Sequence, residues 1–338
     1  MPTKPRILRL PGAPAVKGLV FRTYRGREDI PAMVRVINPS LKADIIDVVA
    51  KEEDLRRDFE APTNMDPYKD IIMAEVDGEL IGFSEMTWRQ RLRKARVYVH
   101  YSHLLPEWRG KGVREAMLHY CEKRLVQKAR KHRADQTKYF EIYANSQDND
   151  WKRILESEGY KPNWYVLELA RPDLDKVPAL PLPPGIEVRP VMPEHYNKIW
   201  DSAVEALKDE NSFLEERNNE NAYQRQLASS TFMPRLWQIA WEGEEVVGGV
   251  HNYIDEDENK AYGRRWGHTE KIFVRRPWRN RGIAKALISR SLKVLREEGM
   301  EAATLDVDSD NPSGALKLYE SMGYRLEMEF TFYKKPID

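Results

Sequence analysis

One set of landmarks occurs twice along these 338 residues. Phe21-Arg22 matches Val188-Arg189, and Asp77-Gly78-Glu79-Leu80-Ile81-Gly82 matches the run from Glu242-Gly243-Glu244 to Gly248. Pro106-Glu107-Trp108-Arg109 matches Arg276-Pro277-Trp278-Arg279, and Glu158-Gly159-Tyr160 matches Met322-Gly323-Tyr324, all at separations of 164 to 170 positions. A single short match arises by chance. Several in one order at nearly one spacing imply a duplicated domain, so the chain must fold as two copies of one plan. Each half is long enough to bury its own core. Between them Pro172, Pro178, Pro181, Pro183 and Pro184 precede Gly185. Proline fixes φ and lacks an N–H, so this stretch reads as a semi-rigid, extended linker. The expected organisation is a first domain over 18–170, a linker over 171–185 and a second domain over 186–336.

Charge narrows the partners. Lys+Arg 55 against Asp+Glu 54 leaves +1, which argues against a mainly electrostatic hold on nucleic acid, and no nucleic-acid partner is expected. Cys121 is the single cysteine, so neither an intrachain disulfide nor zinc held by several thiolates is possible, and no metal is expected. No apolar run approaches the ~18 residues of a membrane span. The first residues, MPTKPRILRLPG, contain no apolar signal core. The expectation is a cytoplasmic, soluble protein without a membrane partner.

In the second half, Ile186 to Pro190 reads as a short strand, and His195 to Leu207 and Ala222 to Ser229 read as helices. Leu236 to Trp241 and Val246 to Tyr253 read as strands joined by a turn at Glu242-Gly243-Glu244, and Asp255 to Glu258 as the next turn. His268 to Val274 alternates as a strand does. Ile283 to Glu297 carries a helical apolar face of Ile283, Ala286, Leu287, Leu292 and Leu295, stopped by Gly299. Ala302 to Val307 is a strand, Asn311-Pro312 a helix start, and Tyr324 to Tyr333 the last strands. This mixed order predicts an α+β fold: two α/β domains, each a mixed, mostly antiparallel sheet flanked by helices.

Chemistry is legible at one corner. Where the strand Ile272-Phe273-Val274 ends, a basic loop turns and a helix opens at Gly282. The first N–H groups of a helix lack internal partners and the helix dipole is positive there, which makes a ready anion site. Gly282 lets backbone approach a phosphate, Ala284 keeps the next contact small, and Arg279, Arg281 and Lys285 add charge.

Arg279-x-x-Gly282-x-Ala284, with a strand before and a long helix after, resembles the acetyl-CoA loop of the GCN5-related N-acetyltransferase (GNAT) superfamily. The resemblance covers Gly18 to Ala170 and Gly185 to Lys334, as a tandem two-domain member, and only the second copy carries the motif cleanly. It implies acetyl-CoA as cosubstrate. Ile272, Phe273 and Val274 would offer backbone groups to the pantetheine amides, in the manner of an added strand. Arg279, Asn280, Arg281, Gly282, Ile283, Ala284 and Lys285 would cradle the pyrophosphate, and Asn311 would lie near the pantetheine arm.

Acetyl transfer needs a neutral amine and a protonated leaving thiolate. A lysine-like amine is neutral in only about one molecule in 10³ at pH 7, which costs about 4–5 kcal/mol. Tyr319, eight residues after Asn311 and four after Ala315 on the same helix face, is the candidate acid, the place where the family has its frequent acid tyrosine. His268 and Glu270, two apart on one strand face, are both candidates for the base, with Glu270 nearer the thioester end. Cys121 belongs to the first copy's helix, so direct attack by the amine is expected rather than a cysteine intermediate.

The first copy departs from this pattern. Arg109-x-x-Gly112-x-Arg114 puts a long side chain at the third position, and Gln147, Trp151 and Leu155 occupy the places of Asn311, Ala315 and Tyr319. Leucine cannot donate a proton, so this copy is expected to be non-catalytic. The expected activity is transfer of acetyl from acetyl-CoA to a primary amine of a small molecule, acceptor and oligomeric state open. The rival is a non-catalytic acyl-CoA-binding sensor or scaffold that keeps the loop and needs neither Tyr319 nor Glu270.

Overall fold

The computed structural model describes residues 5–91, 95–133, 135–208, 219–309, 311 and 314–337. In chain order it contains β1 (Ile7–Leu8), β2 (Leu19–Thr23), α1 (Ile30–Ala43), α2 (Glu52–Glu60), α3 (Pro67–Asp70), β3 (Ile71–Val76), β4 (Glu79–Arg91) and β5 (Ala95–Leu104). Next come α4 (Val113–Ala129), β6 (Thr137–Asn145), α5 (Asn149–Ser157), β7 (Lys161–Arg171), β8 (Glu187–Val188), α6 (Tyr196–Leu207), α7 (Glu220–Leu227), β9 (Gln238–Glu242) and β10 (Glu245–Tyr253). The chain ends with α8 (Glu256–Tyr262), β11 (Trp266–Val274), α9 (Ile283–Glu297), β12 (Ala302–Asp308), α10 (Ala315–Ser321) and β13 (Arg325–Pro336).

Two compact units result: Met1–Asn163 with Thr331–Asp338, and Trp164–Phe330. The divisions fall inside β7 and β13, not in the proline-rich stretch. The reason is strand pairing: residues 166–171 of β7 run antiparallel to residues 303–308 of β12. The proline-rich stretch, expected as a linker, is docked on the second unit. Leu174 is buried in that unit's core, Val177, Leu180 and Leu182 pack against it, and the Ser289 hydroxyl donates to the Pro178 carbonyl.

Each unit repeats one plan. In the first, β1 to β5 are antiparallel neighbours and β5 runs parallel to β6. In the second, β8 to β11 are antiparallel neighbours, β11 runs parallel to β12, and β12 is antiparallel to β7. Both sheets are mixed and mostly antiparallel, as expected.

The second unit's sheet is covered on both faces. From α9, Ile283, Leu287, Leu292 and Leu295 pack with Val247, Val250, Leu305 and Val307 on one face. On the other, Ile199 and Ala203 of α6 pack with Trp237, Ile239, Trp241 and Phe273. Each such aliphatic side chain contributes roughly 1.5–3 kcal/mol through burial. Gly299, at φ +87, ends α9, and the Met300 N–H returns to the Leu295 carbonyl at 3.0 Å.

Three local expectations need correction. Asp255 to Glu258 is not a turn but the start of α8: an Asp255 carboxylate oxygen accepts from the N–H groups of Asp257 and Glu258 at 3.0 and 3.1 Å. An aspartate cap followed by acidic residues is a helix start, because the carboxylates oppose the dipole. Asn311 does not cap the last helix. It lies in the preceding turn, its N–H bonded to the Asp308 carbonyl at 3.1 Å, and α10 begins after Gly314; Pro312 lies outside the described residues. Finally, the segment after Tyr324 is one strand, β13, not several.

Candidate active site

The geometry of the second unit turns on where β11 leaves its neighbour. β11 and β12 are bridged at Trp266–Ala302, Gly267–Ala303 and His268–Thr304, and among the described residues at no position beyond. β10 continues beside β11 to Val274, but through a bulge. Between the Gly249–Phe273 and His251–Glu270 pairs, β10 has one residue and β11 has two, Lys271 and Ile272. Lys271 sits at φ +43. A bulge bends its strand and sharpens its twist, and here it aims β11 away from β12. Gly249 allows this close packing, since a Cβ there would stand 2.6 Å from the Phe273 ring. The edge of β11 over Ile272, Phe273 and Val274 therefore has no strand partner on the β12 side among the described residues. Phe273 itself is buried; Ile272 and Val274 are half-buried.

The loop at the mouth of this opening is shaped by two left-handed residues, Asn280 at φ +62 and Gly282 at φ +82. The first internal bond of α9 is Ala286 N–H to Gly282 C=O at 3.1 Å, which leaves the N–H groups of Ile283, Ala284 and Lys285 outside the helix ladder. The Ile283 side chain is buried in the core, while Asn280, Arg281, Gly282 and Lys285 are exposed. No heavy atom lies within 4 Å of the place a Cβ would take on Gly282. Arg279 turns inward: its Nε donates to the Val274 carbonyl at 2.9 Å and an Nη to the Ala206 carbonyl at 3.1 Å. Arg281 and the Trp278 indole N–H both donate to Glu242, at 3.3 and 2.7 Å, and hold that carboxyl below its ordinary range, the indole bond foremost. The loop is thus braced by Glu242, Val274 and Ala206, with the first N–H groups of α9 left outside the helix ladder.

The acid and base candidates take distinct places. Tyr319, on α10, is 7% exposed and meets Tyr324 edge-on at 6.1 Å. Ala315 packs against the same core. His268 Nδ1 shares a hydrogen bond with Thr304 Oγ1 at 2.9 Å, and its Nε2 lies 3.3 Å from Glu258 Oε1. Glu258 is also paired with Arg264. The His268 ring lies flat on Tyr253, centroids 4.3 Å apart, and the Tyr253 hydroxyl donates to Glu270 Oε1 at 3.5 Å. Burial first, then the charge of Glu270, pushes the Tyr253 phenol pKa up. Glu270 is exposed.

Sequence reasoning offers Tyr253 only as a possible lining residue of an acceptor pocket, and it missed Asp306. Ala303, Leu305 and Val307 belong to the core on the α9 side, so Thr304 and Asp306 project from the other face, the face His268 shares through its bond to Thr304. Asp306 is exposed on that face, and its carboxyl is pushed up, by desolvation first and by the charges of Glu270 and Asp308, with His268 acting oppositely. The signal was the apolar–polar alternation of Ala303 to Asp308, which assigns Asp306 to the His268 face once the parallel pairing is known.

In the first unit the corresponding places are filled. Arg114, which replaces Ala284, is ion-paired with Asp148 at 2.7 Å, both side chains 5% exposed, and its guanidinium lies 4.4 Å over the Trp151 ring. Trp151 and Leu155 are core residues. Arg109 is bound to Asp44 and Ser40. A Cβ on Gly112 would lie 3.5 Å from Pro14, whereas Gly282 faces open space. β4 and β5 pair from Gly82–Leu104 to Arg91–Ala95 without a bulge. What is left is a cavity of about 40 Å³ lined by His100, Arg114, Asn145, Asp148 and Trp151 among others.

Among the described residues no helix is long and apolar enough to cross a membrane, and no group of three or more His, Cys, Asp or Glu is placed to hold a metal ion. Comparison with known proteins gives a consistent result. The family model described as "Acetyltransferase (GNAT) family" matches twice, over residues 39–145 and 196–324. Mycothiol acetyltransferase of Streptomyces coelicolor is 25% identical over 261 residues, 75% of each chain. A GCN5-related N-acetyltransferase structure from Sphaerobacter thermophilus superposes with a TM-score of 0.69 at 23% identity, covering 95% of this chain and 96% of that one. A tandem GNAT protein from the clavulanic acid biosynthesis pathway gives 0.65 at 16% identity, covering 95% and 100%. At these identities the two structures speak for the fold alone.

Proposed function

Because this chain belongs to the GNAT acetyltransferase family and is an acyltransferase, we propose that its second unit binds acetyl-CoA along β11 and passes the acetyl group to a primary amine of a small molecule by direct attack. The observation that carries this reading is the strand edge left open beyond His268–Thr304, ending at a helix whose first amides lie outside its own ladder. Those amides suit a diphosphate, the strand edge suits an amide-bearing arm, and no heavy atom crowds Gly282 between them. The likeness to mycothiol acetyltransferase is consistent with a small-molecule acceptor.

Acetyl-CoA, when bound, supplies the activated thioester. The residues that would hold it are the backbone of Ile272 to Val274, the loop from Arg279 to Lys285 and the turn at Asn311. Arg279 contributes by fixing the loop to the end of β11 rather than by reaching outward. Glu270 is the base that takes a proton from the attacking nitrogen, because it is exposed at the opening. His268 has both ring nitrogens engaged, and its role is to seat Tyr253, which donates to Glu270. Tyr319 gives its phenolic proton to the departing thiolate. The first unit, with Arg114 and Trp151 in the way, neither binds acetyl-CoA nor catalyses.

The test is calorimetry with CoA followed by a panel of primary amines with acetyl-CoA, reading released thiol. No heat with CoA overturns the reading. CoA binding without turnover on any amine favours the sensor or scaffold instead.

A further inference from the structure

Formation of an amide from an ammonium removes two protons from nitrogen, and Glu270 accounts for one. The second unit holds another carboxylate at the same opening. Two residues past the last bridge on each strand stand Glu270 on β11 and Asp306 on β12, and both project from the face that His268 and Thr304 share. Adjacent strands run about 5 Å apart and here diverge, so the two carboxylates flank the gap that the proposed thioester arm would enter.

We propose that Asp306 is a second catalytic carboxylate, which receives the acceptor as an ammonium and takes its first proton. This rests on the acetyltransferase reading of the preceding section. An ammonium N–H bond breaks, its electron pair stays on nitrogen, and the proton moves to an Asp306 oxygen. The neutral nitrogen then forms the C–N bond as the C–S bond breaks. Its second proton goes to Glu270, and the thiolate takes a proton from Tyr319. One proton is released to solvent and one is returned to Tyr319.

The surroundings of Asp306 suit this task. Glu270 and His268 of β11 face it, as does Glu168, its register partner on β7; Asp308 of its own strand acts on it through its charge, and the charge of Asp306 in turn helps to keep the Tyr253 phenol of β10 protonated. Most of these groups are acidic, which favours arrival of a cation.

The test uses the full chain, acetyl-CoA and the best acceptor from a panel of amino sugars, amino acids and polyamines. Asp306→Asn is expected to lower kcat/KM at least thirtyfold at pH 7, to shift the acid limb of its pH profile, and to leave CoA affinity within threefold. Asp306→Ala is expected to regain at least fivefold in added formate, which a purely structural residue would not allow. Asp306→Asn activity within threefold of the parent overturns the proposal. So does an Asp306→Ala loss that formate does not relieve and that matches an equal loss of CoA affinity. If the unaltered chain acetylates no amine, the preceding reading fails; if it does and Asp306→Asn does too, only this inference fails.

Discussion

Arg114 reaches across the first unit to Asp148, 2.7 Å away, in a place where the second unit has only the methyl group of Ala284. The pair is almost fully buried, and Trp151 lies under the guanidinium. One substitution thereby converts a loop that could open onto a phosphate into part of a core.

The first prediction concerns this pair. Arg114→Ala strands the Asp148 carboxylate, and breaking a buried ion pair by removing one partner costs about 3–5 kcal/mol. Urea unfolding should show the loss, while kcat/KM of the second unit stays within twofold. In the unaltered chain, calorimetry should count one CoA per chain; two would contradict the sealed first copy.

Gly282 carries the second. Its φ of +82 strains any L-residue, although the space beside it is open. Gly282→Val adds about 1–3 kcal/mol of backbone strain and a branched side chain over the helix amides. CoA affinity should fall at least tenfold by calorimetry, with little change in the far-ultraviolet circular dichroism.

A third separates the acid, the base and the seat. Glu270→Gln should lower kcat/KM by about 10²–10⁴-fold, the range of a positioned base. Tyr319→Phe should lower kcat at least tenfold. His268→Ala should cost less than either, since it acts through Tyr253. CoA affinity unchanged throughout assigns these losses to chemistry.

The fourth is a pH effect in the first unit. The Glu85 carboxyl is pushed up to about 7, by burial foremost and then by the charge of Asp58, with Arg89 opposing. Between the ordinary glutamate value and about 7 the folded state holds this proton more tightly than the unfolded chain, so stability falls as pH rises through that window. Glu85→Gln should raise the urea midpoint at pH 8 and leave it nearly unchanged at pH 4; equal midpoints at both would contradict the assignment.

Much of the site could be read without coordinates, because it depends on local order along the chain. The strand into Val274, the turn with Gly282 and the helix from Ile283 to Glu297 follow from alternation, glycine and helical periodicity, which are set by neighbours a few residues away. The acidic run at Asp255 was misread because a cap and a turn draw on the same residues, and only the hydrogen bonds from Asp257 and Glu258 distinguish them.

Order along the chain was enough to show that the plan is doubled, that a helix opens at Gly282, and that the first copy lacks a proton donor at Leu155. Tertiary structure alone decided that β11 parts from β12 after His268, that Arg279 braces the loop, that His268 is engaged on both nitrogens, and that Asp306 stands across from Glu270. The physical reason is range. Periodicity and capping act over a turn or a strand, whereas the divergence of two strands and the meeting of side chains dozens of residues apart are fixed by sheet register and packing, which no local pattern records.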